Sequence, residues 1–513
     1  MRQALFQKAP RHQSLQVQSL PAPIGGLNAI NSLADMPPGD AIILDNMFCE
    51  PSRVRVRKGT LNWRTGFAAQ VQTLAVWSGS KLFAASNGAV YNVTSSGASL
   101  PSAEFSGQSS NKWQWVNFGN SAGTTYLIMV NGTDSYRAYD GSTWSTPTVT
   151  GATAANFIYP HVFKYRLFFI EKNTTKVWYL DQNAISGAAN ALDMSPLMKL
   201  GGTLVALANV TSSAGQQVDD YFCAITSEGE AIVFKGIDPS TTYTWSMVGV
   251  YRIGIPIGSR CVQQLGSSMM IVTEDGITPL ANMFVDDVTA TKKTITQKIL
   301  NSINTSVQSY KSNFGWHIIL SPIDNQLIVN VPISTTQSFQ YVMNTITGSW
   351  STWGLNNSAI NAFCWAYMGS QLYFGTGSAV LKANTGTGDN GAAITADAKQ
   401  AFNYFGARGQ LKQFKLCRPN FLVDGTISPG VTVNVDFEDV QASPGTAVTT
   451  TGGIWDTATW DNGVWGGDPV PKSYWISLGK EGYCAAPRVT VSSSQSTLYW
   501  ASTDIGYETG GVI

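Results

Sequence analysis

The sequence contains few charged residues. Asp, Glu, Lys and Arg make up 12% of its 513 residues, about half the usual fraction of roughly 25%. Lys and Arg number 32, and so do Asp and Glu, which gives a formal net charge of zero. A neutral chain exerts no long-range attraction on nucleic acid or anionic membranes. It is also poorly protected against association, which favours a protein that works among permanent neighbours.

The residue patterns that support catalysis are scarce as well. The three histidines, His12, His161 and His317, stand in unrelated settings and form no zinc-binding motif. The six cysteines form no Cys-x-x-Cys pair, and we predict buried, reduced thiols. Acidic residues such as Glu228 and Glu274 fall at predicted hairpin tips, where solubility explains them. We therefore predict a protein that is not an enzyme and has no metal and no cofactor.

Long apolar segments are missing too. No run of about 18 apolar residues occurs, and the N-terminus has no apolar core of a secretory signal. We expect no membrane insertion by this chain.

The residues that are abundant are those of strands and tight turns. The sequence has 49 Gly, 16 Trp, 19 Tyr and 22 Phe, and together with many Ser, Thr and Asn they predict an all-β protein. Hairpin patterns recur at intervals of roughly 40 to 60 residues, the spacing of propeller blades. They occupy residues 81–93, 126–141, 166–181, 221–236, 269–284, 326–343 and 371–386. We predict a β-propeller of six to eight blades over 67–396, with tandem β-sandwiches as the alternative.

Two further patterns refine this prediction. Residues 290–310 place apolar side chains at helical spacing, which predicts one inserted amphipathic helix. The dipeptide Trp-Ser recurs at Trp144, Trp245 and Trp350 in comparable places of three units, and we expect these tryptophans to pack between blades.

The two ends of the chain differ from the repeats. Residues 1–66 are rich in proline and basic residues, which predicts an irregular N-terminal arm. Within it Arg53, Arg55 and Arg57 alternate with valines. This alternation is typical of an edge strand protected by charge, and a strand that faces an acidic partner or DNA is the alternative.

Residues 397–513 alternate apolar and polar side chains, which predicts a β-sandwich-like domain. Its loop at 449–467 carries Trp455, Trp460 and Trp465 at five-residue spacing. These tryptophans are either a candidate glycan platform or packing over a sandwich edge.

The segment 21–59 resembles the start of a family of virion proteins of short-tailed bacteriophages (podophages). The family opens with a Pro-x-x-Gly-Gly-Leu-Asn turn, followed by a Leu-Asp-Asn segment and a Val-x-Val-Arg-x-Gly segment. The matching motif residues, which we assign with Arg53 and Arg55 to an assembly arm, are Pro23, Gly25, Gly26, Leu27, Asn28, Asp45, Asn46, Arg57 and Gly59. The stretches 455–461 and 482–488 resemble the same family's C-terminal end.

The resemblance to these tail nozzle, or tail tubular B-type, proteins implies a structural virion protein made in the bacterial host cytoplasm. It implies a homo-oligomer, expected to be a hexamer, with propeller and sandwich modules around a channel for double-stranded DNA. The DNA would pass without sequence recognition, and a tail adaptor protein and tail fibres or spikes would be further partners. On this hypothesis, deletion of residues 1–60 would block assembly without unfolding the propeller.

Two other functions stay open at this point. One is a receptor-binding protein that binds or degrades glycans, and the other is a head-closure plug that stabilises packaged DNA.

Overall fold

The computed structural model describes residues 14–512, except 213–218, 242, 267, 285–293, 444, 446 and 450–468. The chain divides into two compact units. One unit contains the described residues up to Val56 and those from Ala393 onward, and the other contains Arg57–Ala392. The second unit is therefore inserted into the chain of the first.

Four strands lie in the N-terminal part of the first unit. They are Gln16–Pro21 (β1), Ala41–Asp45 (β2), Met47–Cys49 (β3) and Val54–Val56 (β4).

The inserted unit is a β-propeller, and its strands follow one another in antiparallel sheets around a ring. It begins with Leu61–Thr65 (β5). Blade 1 contains Thr73–Trp77 (β6), Lys81–Ser86 (β7), Ala89–Asn92 (β8) and Ala103–Phe105 (β9). Blade 2 contains Gln114–Gly119 (β10), Thr125–Val130 (β11), Arg137–Tyr139 (β12) and Trp144–Ser145 (β13).

Blades 3 and 4 follow, with a short parallel pair made by Val149–Thr150 (β14) and a later strand at 187–188. Blade 3 contains Phe157–Phe163 (β15), Arg166–Glu171 (β16), Lys176–Tyr179 (β17) and, after Gly187–Ala188 (β18), Asn190–Asp193 (β19). Blade 4 contains Leu204–Ser212 (β20), Asp219–Thr226 (β21), Glu230–Gly236 (β22) and Trp245–Arg252 (β23).

The fifth sheet has three described strands: Val262–Leu265 (β24), Ser268–Thr273 (β25) and Gly276–Pro279 (β26). Blade 6 contains His317–Ser321 (β27), Gln326–Pro332 (β28), Ser338–Asn344 (β29) and Trp350–Trp353 (β30). Blade 7 contains Cys364–Met368 (β31), Gln371–Gly375 (β32), Ala379–Lys382 (β33) and the early strand β5. The described residues thus form six four-stranded blades and one three-stranded sheet.

The ring is closed by contacts between neighbouring sheets. The first strand of each sheet contacts a strand of the next, and the first strand of blade 7, β31, contacts β6 of blade 1. Since β5 is the outer strand of blade 7, the two ends of the inserted unit meet in one sheet. The prediction of an all-β chain with a propeller of six to eight blades is confirmed.

Antiparallel order gives the propeller two distinct faces. Within a blade, the turns after the first and third strands lie on one face, which we call the AB face. The turns after the second strand, and the connections to the next blade, lie on the opposite face.

One α-helix occurs among the described residues, Leu300–Tyr310 (α1), after short 3-10 turns at Leu280–Phe284 and Gln297–Ile299. It buries Ile303 and Val307. The predicted inserted helix is therefore confirmed, but it spans Leu300–Tyr310 and not the whole of 290–310; residues 290–293 lie outside the described residues.

The propeller core lies between the blades. Trp144 of blade 2 packs edge-on against Phe83 and Phe105 of blade 1, with ring centroids 5.0 Å apart in both pairs. Trp245 of blade 4 packs among aromatic rings of its own blade and of blade 3, including Phe163. The predicted inter-blade packing of these two tryptophans is confirmed, and it explains why each blade needs its neighbours for burial.

The C-terminal part of the sandwich unit supplies its longest strands. They are Ile394–Gln400 (β34), Gln410–Asp424 (β35), Thr426–Ile427 (β36), Gly430–Val435 (β37), Val448–Thr449 (β38), Val470–Ser473 (β39), Ile476–Gly482 (β40), Ala485–Ser493 (β41) and Thr497–Val512 (β42). One sheet joins β3, β4, β42 and β35, with β39 and β40 on β35 and β1 on β42. The other joins β2, β34, β41 and β37. Leu20, Phe414, Val433 and Ile505 belong to the core of this unit.

The domain bounds therefore differ from those expected from the sequence. The segment assigned to an irregular arm supplies β1 to β4 to the sandwich and β5 to the propeller. The strand of Arg55 is not an edge strand, because β4 lies between β3 and β42. Deletion of residues 1–60 would remove β1 to β4 from the sandwich unit and, from the propeller, the residues that precede β5, which include Arg57 and Gly59. It would therefore disturb both folded units and does not test an assembly arm.

Candidate functional site

The first motif residues form a folded loop within the sandwich unit. Asn28 is buried, and its Nδ2 donates a hydrogen bond of 2.7 Å to Asp40 Oδ2. Gly25 donates its amide to the Gly39 carbonyl at 2.8 Å. A Cβ on Gly25 would lie 2.1 Å from Asp40 Oδ1, so only glycine fits here. Gly26, at φ +82°, completes the turn after Pro23.

The next motif residues lie inside the same unit. Leu27, Asp45 and Asn46 are all buried. The Asn46 side chain donates a hydrogen bond of 2.8 Å to the Thr395 carbonyl. Asn46 has φ 54°, a left-handed conformation that asparagine tolerates better than most residues. Asn46 thus positions the backbone after β2.

Arg53 and Arg55 hold one carboxylate. The Nε atoms of Arg53 and Arg55 donate to the two oxygens of Glu50 at 2.7 and 2.8 Å. The Arg53 guanidinium stacks over the Tyr499 ring at 4.1 Å, and that of Arg55 lies 4.9 Å from the Phe48 ring. These contacts account for both arginines within the sandwich unit, so an acidic partner or DNA is not needed to explain them.

Arg57 and Gly59 close the propeller. Arg57 is 1% exposed, and its guanidinium makes a bidentate contact with Asp389 at 2.8 and 2.5 Å. Gly59 exchanges backbone hydrogen bonds of 2.9 Å with the Gly386 carbonyl and the Thr385 amide. A Cβ on Gly59 would lie 2.1 Å from the Gly388 carbonyl oxygen. We call this contact between 57–60 and 385–390 the closure latch.

The motif residues therefore do not converge on one site. Those from Pro23 to Arg55 stabilise the sandwich, and Arg57 and Gly59 stabilise the ring. The three tryptophans considered as a glycan platform, Trp455, Trp460 and Trp465, lie outside the described residues.

The axis of the propeller is crossed by polar side chains. Arg260 Nη2, from the fifth sheet, donates to the carbonyls of Gln72 and Trp113 at 3.1 and 3.0 Å. Gln114 Nε2 donates to Ser259 Oγ at 2.8 Å. These bonds join the fifth sheet to blades 1 and 2 across the ring.

A cleft opens on the AB face, a feature that the sequence analysis missed. Its volume is about 270 Å³, and it lies where the first strands of blades 3 and 4 and of the fifth sheet end. Its lining residues are Phe163, Lys164, Asn209, Thr211, Asp220, Gln264 and Met269. Three consecutive sheets therefore contribute polar groups to one small space.

The cleft is polar but carries balanced charge. Lys164 Nζ lies 2.8 Å from Asp220 Oδ2, and this hydrogen bond lowers the pKa of Asp220. Thr211 Oγ1 donates to Asp220 Oδ1 at 3.1 Å. A cation and an anion thus compensate each other at the cleft.

Asn209 is held in a fixed orientation at the cleft. Its Nδ2 donates to the Val162 carbonyl at 3.1 Å, and its Oδ1 lies 2.7 Å from His161 Nε2. Burial lowers the pKa of His161 to about 4, so the ring is neutral near pH 7 and donates to Asn209.

Large apolar side chains are exposed mainly on the AB face of the propeller. Among the described residues these are Leu61, Tyr165, Ile237, Tyr243, Ile323 and Ile346. The opposite face exposes Leu200, Ile255 and Leu355, each less than half exposed. Most of them are spread over different blades, but Ile323 and Ile346 lie on two turns of blade 6 that a hydrogen bond from the Thr345 amide to the Asn325 carbonyl joins. Neighbouring exposed apolar groups of this kind are candidates for an interaction surface.

Residues with described positions include no group of three or more His, Cys, Asp or Glu placed to hold a metal ion. In the same ranges no helix is long and apolar enough to cross a membrane. All six cysteines are buried and free, as predicted.

No family model and no curated protein matches this sequence. Solved structures resemble it in fold. The β-propeller domain of Cps50 (Swd1) from Myceliophteria thermophila aligns at TM-score 0.40 and 9% identity, over 63% of this chain and 99% of that one. BBS1N in complex with ARL6DN aligns at 0.37 and 13%, over 64% and 97%. YCF48 bound to D1 peptide aligns at 0.37 and 9%, over 68% and 99%. These likenesses concern the fold alone.

Proposed function

We propose that this protein is a structural subunit of a short bacteriophage tail, a nozzle that assembles as a cyclic homo-oligomer of about six copies. Its channel retains double-stranded DNA and later conveys it, and its outer surfaces hold an adaptor protein and fibres or spikes. The resemblance of segment 21–59 to podophage tail proteins is the origin of this proposal.

The observation that carries it is the structural role of the motif residues. Gly25 and Asn28 hold a loop of the sandwich, whereas Arg57 and Gly59 hold the closure latch of the propeller. The motif residues of this chain therefore stabilise a propeller inserted into a sandwich. This stabilising role supports a structural subunit better than a ligand-binding loop.

The propeller itself does not supply the DNA channel in this proposal. Arg260 and Gln114 bridge its axis by hydrogen bonds of 2.8 to 3.1 Å, which leaves no passage for a duplex. The channel is instead the space enclosed by neighbouring subunits, as in other cyclic assemblies with heterologous interfaces.

The blade 6 part of the AB face is the surface we assign to subunit contacts. Ile323 and Ile346 are 61% and 66% exposed and lie on adjacent turns of blade 6. The Thr345 amide donates to the Asn325 carbonyl at 2.9 Å, which joins the two turns. Burying the remaining exposed area of these two isoleucines at an interface stabilises it by about 2–4 kcal/mol before association costs.

The experiment compares the double variant Ile323→Asp/Ile346→Asp with Leu355→Asp, a matched control on the opposite face. Analytical ultracentrifugation of the full chain is expected to show a ring for the unmodified protein and the control. The double variant is expected to sediment as smaller species. If the double variant assembles like the control, the blade 6 surface around Ile323 and Ile346 is not the subunit contact.

A further inference from the structure

The turn between β15 and β16 has an unusual composition. Phe163 pairs with Arg166, so Lys164 and Tyr165 form a two-residue turn, with φ values of 45° and 62°. Such turns strongly prefer Asn-Gly, because both residues must adopt positive φ. The same protein uses Asn87-Gly88 in a two-residue turn of blade 1, at φ 49° and 71°.

The local contacts of Lys164 do not account for this choice. Its ion pair with Asp220 joins side chains that are 36% and 44% exposed, and pairs this exposed contribute little to stability. Tyr165 is 65% exposed. Backbone strain that is not offset by packing is typical of ligand-binding positions.

The turn lies beside the cleft on the AB face. Lys164 lines the cleft, and the exposed Tyr165 is the next residue of the same turn. Asn209 is fixed by His161 and Val162, so its amide is pre-organised to form hydrogen bonds. An ammonium group, an amide and a carboxylate thereby line a small polar space, and an exposed aromatic residue adjoins the lysine in sequence.

These groups match the chemistry of a sugar. A pyranose presents hydroxyls to amides and carboxylates and an apolar face to an aromatic ring. An anionic ligand is disfavoured because Asp220 already compensates Lys164. The volume of about 270 Å³ is slightly below the range of roughly 300–1,000 Å³ for drug-sized ligands, which suits one sugar ring.

We propose that this cleft binds a single neutral pyranose unit of a glycan, with Tyr165 stacking on the ring, the Asp220 carboxylate accepting hydrogen bonds from its hydroxyls and the Asn209 amide donating to them. Binding involves no covalent change. The inference does not depend on the tail function, since the cleft lies within one propeller.

The test uses methyl glycosides of glucose, galactose and N-acetylglucosamine as probes in saturation-transfer NMR with the full chain. The variant Lys164→Asn/Tyr165→Gly installs the preferred turn sequence. It is expected to raise Tm and to abolish saturation transfer. Ser78→Asn is the matched control, because Ser78 has φ 46° in a blade 1 turn on the same face and is remote from the cleft. It is expected to keep binding.

A second variant, Asp220→Asn, leaves the turn intact and is expected to weaken binding roughly tenfold. Two results would overturn the proposal: no transfer from any of the three glycosides to the unmodified protein, or undiminished transfer to Lys164→Asn/Tyr165→Gly. Sedimentation of the unmodified protein reports on the tail proposal separately, so failures of the two proposals are distinguishable.

Discussion

Removal of the Asp389 carboxylate should open the propeller at its closure latch. Asp389 accepts from both terminal nitrogens of Arg57, whose side chain is fully buried, and Thr60 Oγ1 donates to it at 3.1 Å. In Asp389→Ala the Arg57 guanidinium keeps the carbonyls of Lys58 and Ser358 at 3.1 Å but loses the carboxylate. Removing one partner of a buried ion pair costs about 3–5 kcal/mol, and the lost Thr60 bond costs about 1 kcal/mol more.

This loss is large compared with a total stability of roughly 5–15 kcal/mol for a domain. Urea unfolding should show the reduced free energy of unfolding. Hydrogen exchange should locate the reduction, because the β5 amides paired with β33 lie next to the latch and should lose protection first.

Two variants serve as controls for the latch. Lys58→Ala breaks the neighbouring pair with Asp324, in which Lys58 is 48% exposed, and should cost at most about 1 kcal/mol. Arg57→Met/Asp389→Leu replaces the buried pair with apolar side chains and should be less destabilised than Asp389→Ala. The reasoning is refuted if Asp389→Ala loses no more stability than Lys58→Ala and β5 keeps its protection.

Three further predictions concern other parts of the propeller. Gly59→Ala should destabilise by several kcal/mol, because its Cβ would meet the Gly388 carbonyl oxygen at 2.1 Å; a melting temperature equal to that of the unmodified protein would contradict this. Trp245→Ala should cost about 3–5 kcal/mol in urea unfolding, because it removes an aromatic group packed between blades 3 and 4; a cost below about 1 kcal/mol would refute the packing role. The pKa of His161 is about 4 in the fold and about 6.5 in unfolded chains, so the neutral ring is favoured in the fold. The resulting contribution to the free energy of unfolding, about 3 kcal/mol, is complete above about pH 6.5 and is lost as the pH falls toward 4. In His161→Gln the free energy of unfolding, measured by urea titration, should fall less steeply with decreasing pH. An unchanged pH dependence would contradict the assignment of this effect to His161.

Local patterns predicted the repeating part of the fold well. The hairpins alternate apolar side chains over short segments, and each blade is built from neighbouring segments of sequence. The helix was placed by its apolar spacing, and Ile303 and Val307 are indeed its buried residues. Trp144 and Trp245 were expected between blades because they recur at one position of the unit.

The sandwich bounds were missed because they depend on distant pairing. Leu20 in β1 pairs with Thr503 in β42, and no local pattern reports such a partner. The prolines of segment 21–51 suggested irregular structure, yet they flank short strands, of which β1, β2 and β4 pair with C-terminal ones. Arg53 and Arg55 were expected on an edge strand because their common acceptor, Glu50, is revealed only by the folded hairpin.

The cleft could not be predicted from spacing, since Phe163, Asn209 and Gln264 come from three different sheets. One signal was present in the sequence. Lys164 and Tyr165 stand between two apolar strands, at a turn where Gly, Asn or Asp is the usual choice.

Electron microscopy of the purified full chain, alone and mixed with the tail adaptor protein, tests the central claim most directly. The account predicts cyclic particles of about six copies around a channel wide enough for duplex DNA, formed by the chain alone or after addition of the adaptor. Single propeller-sized particles under both conditions would contradict it.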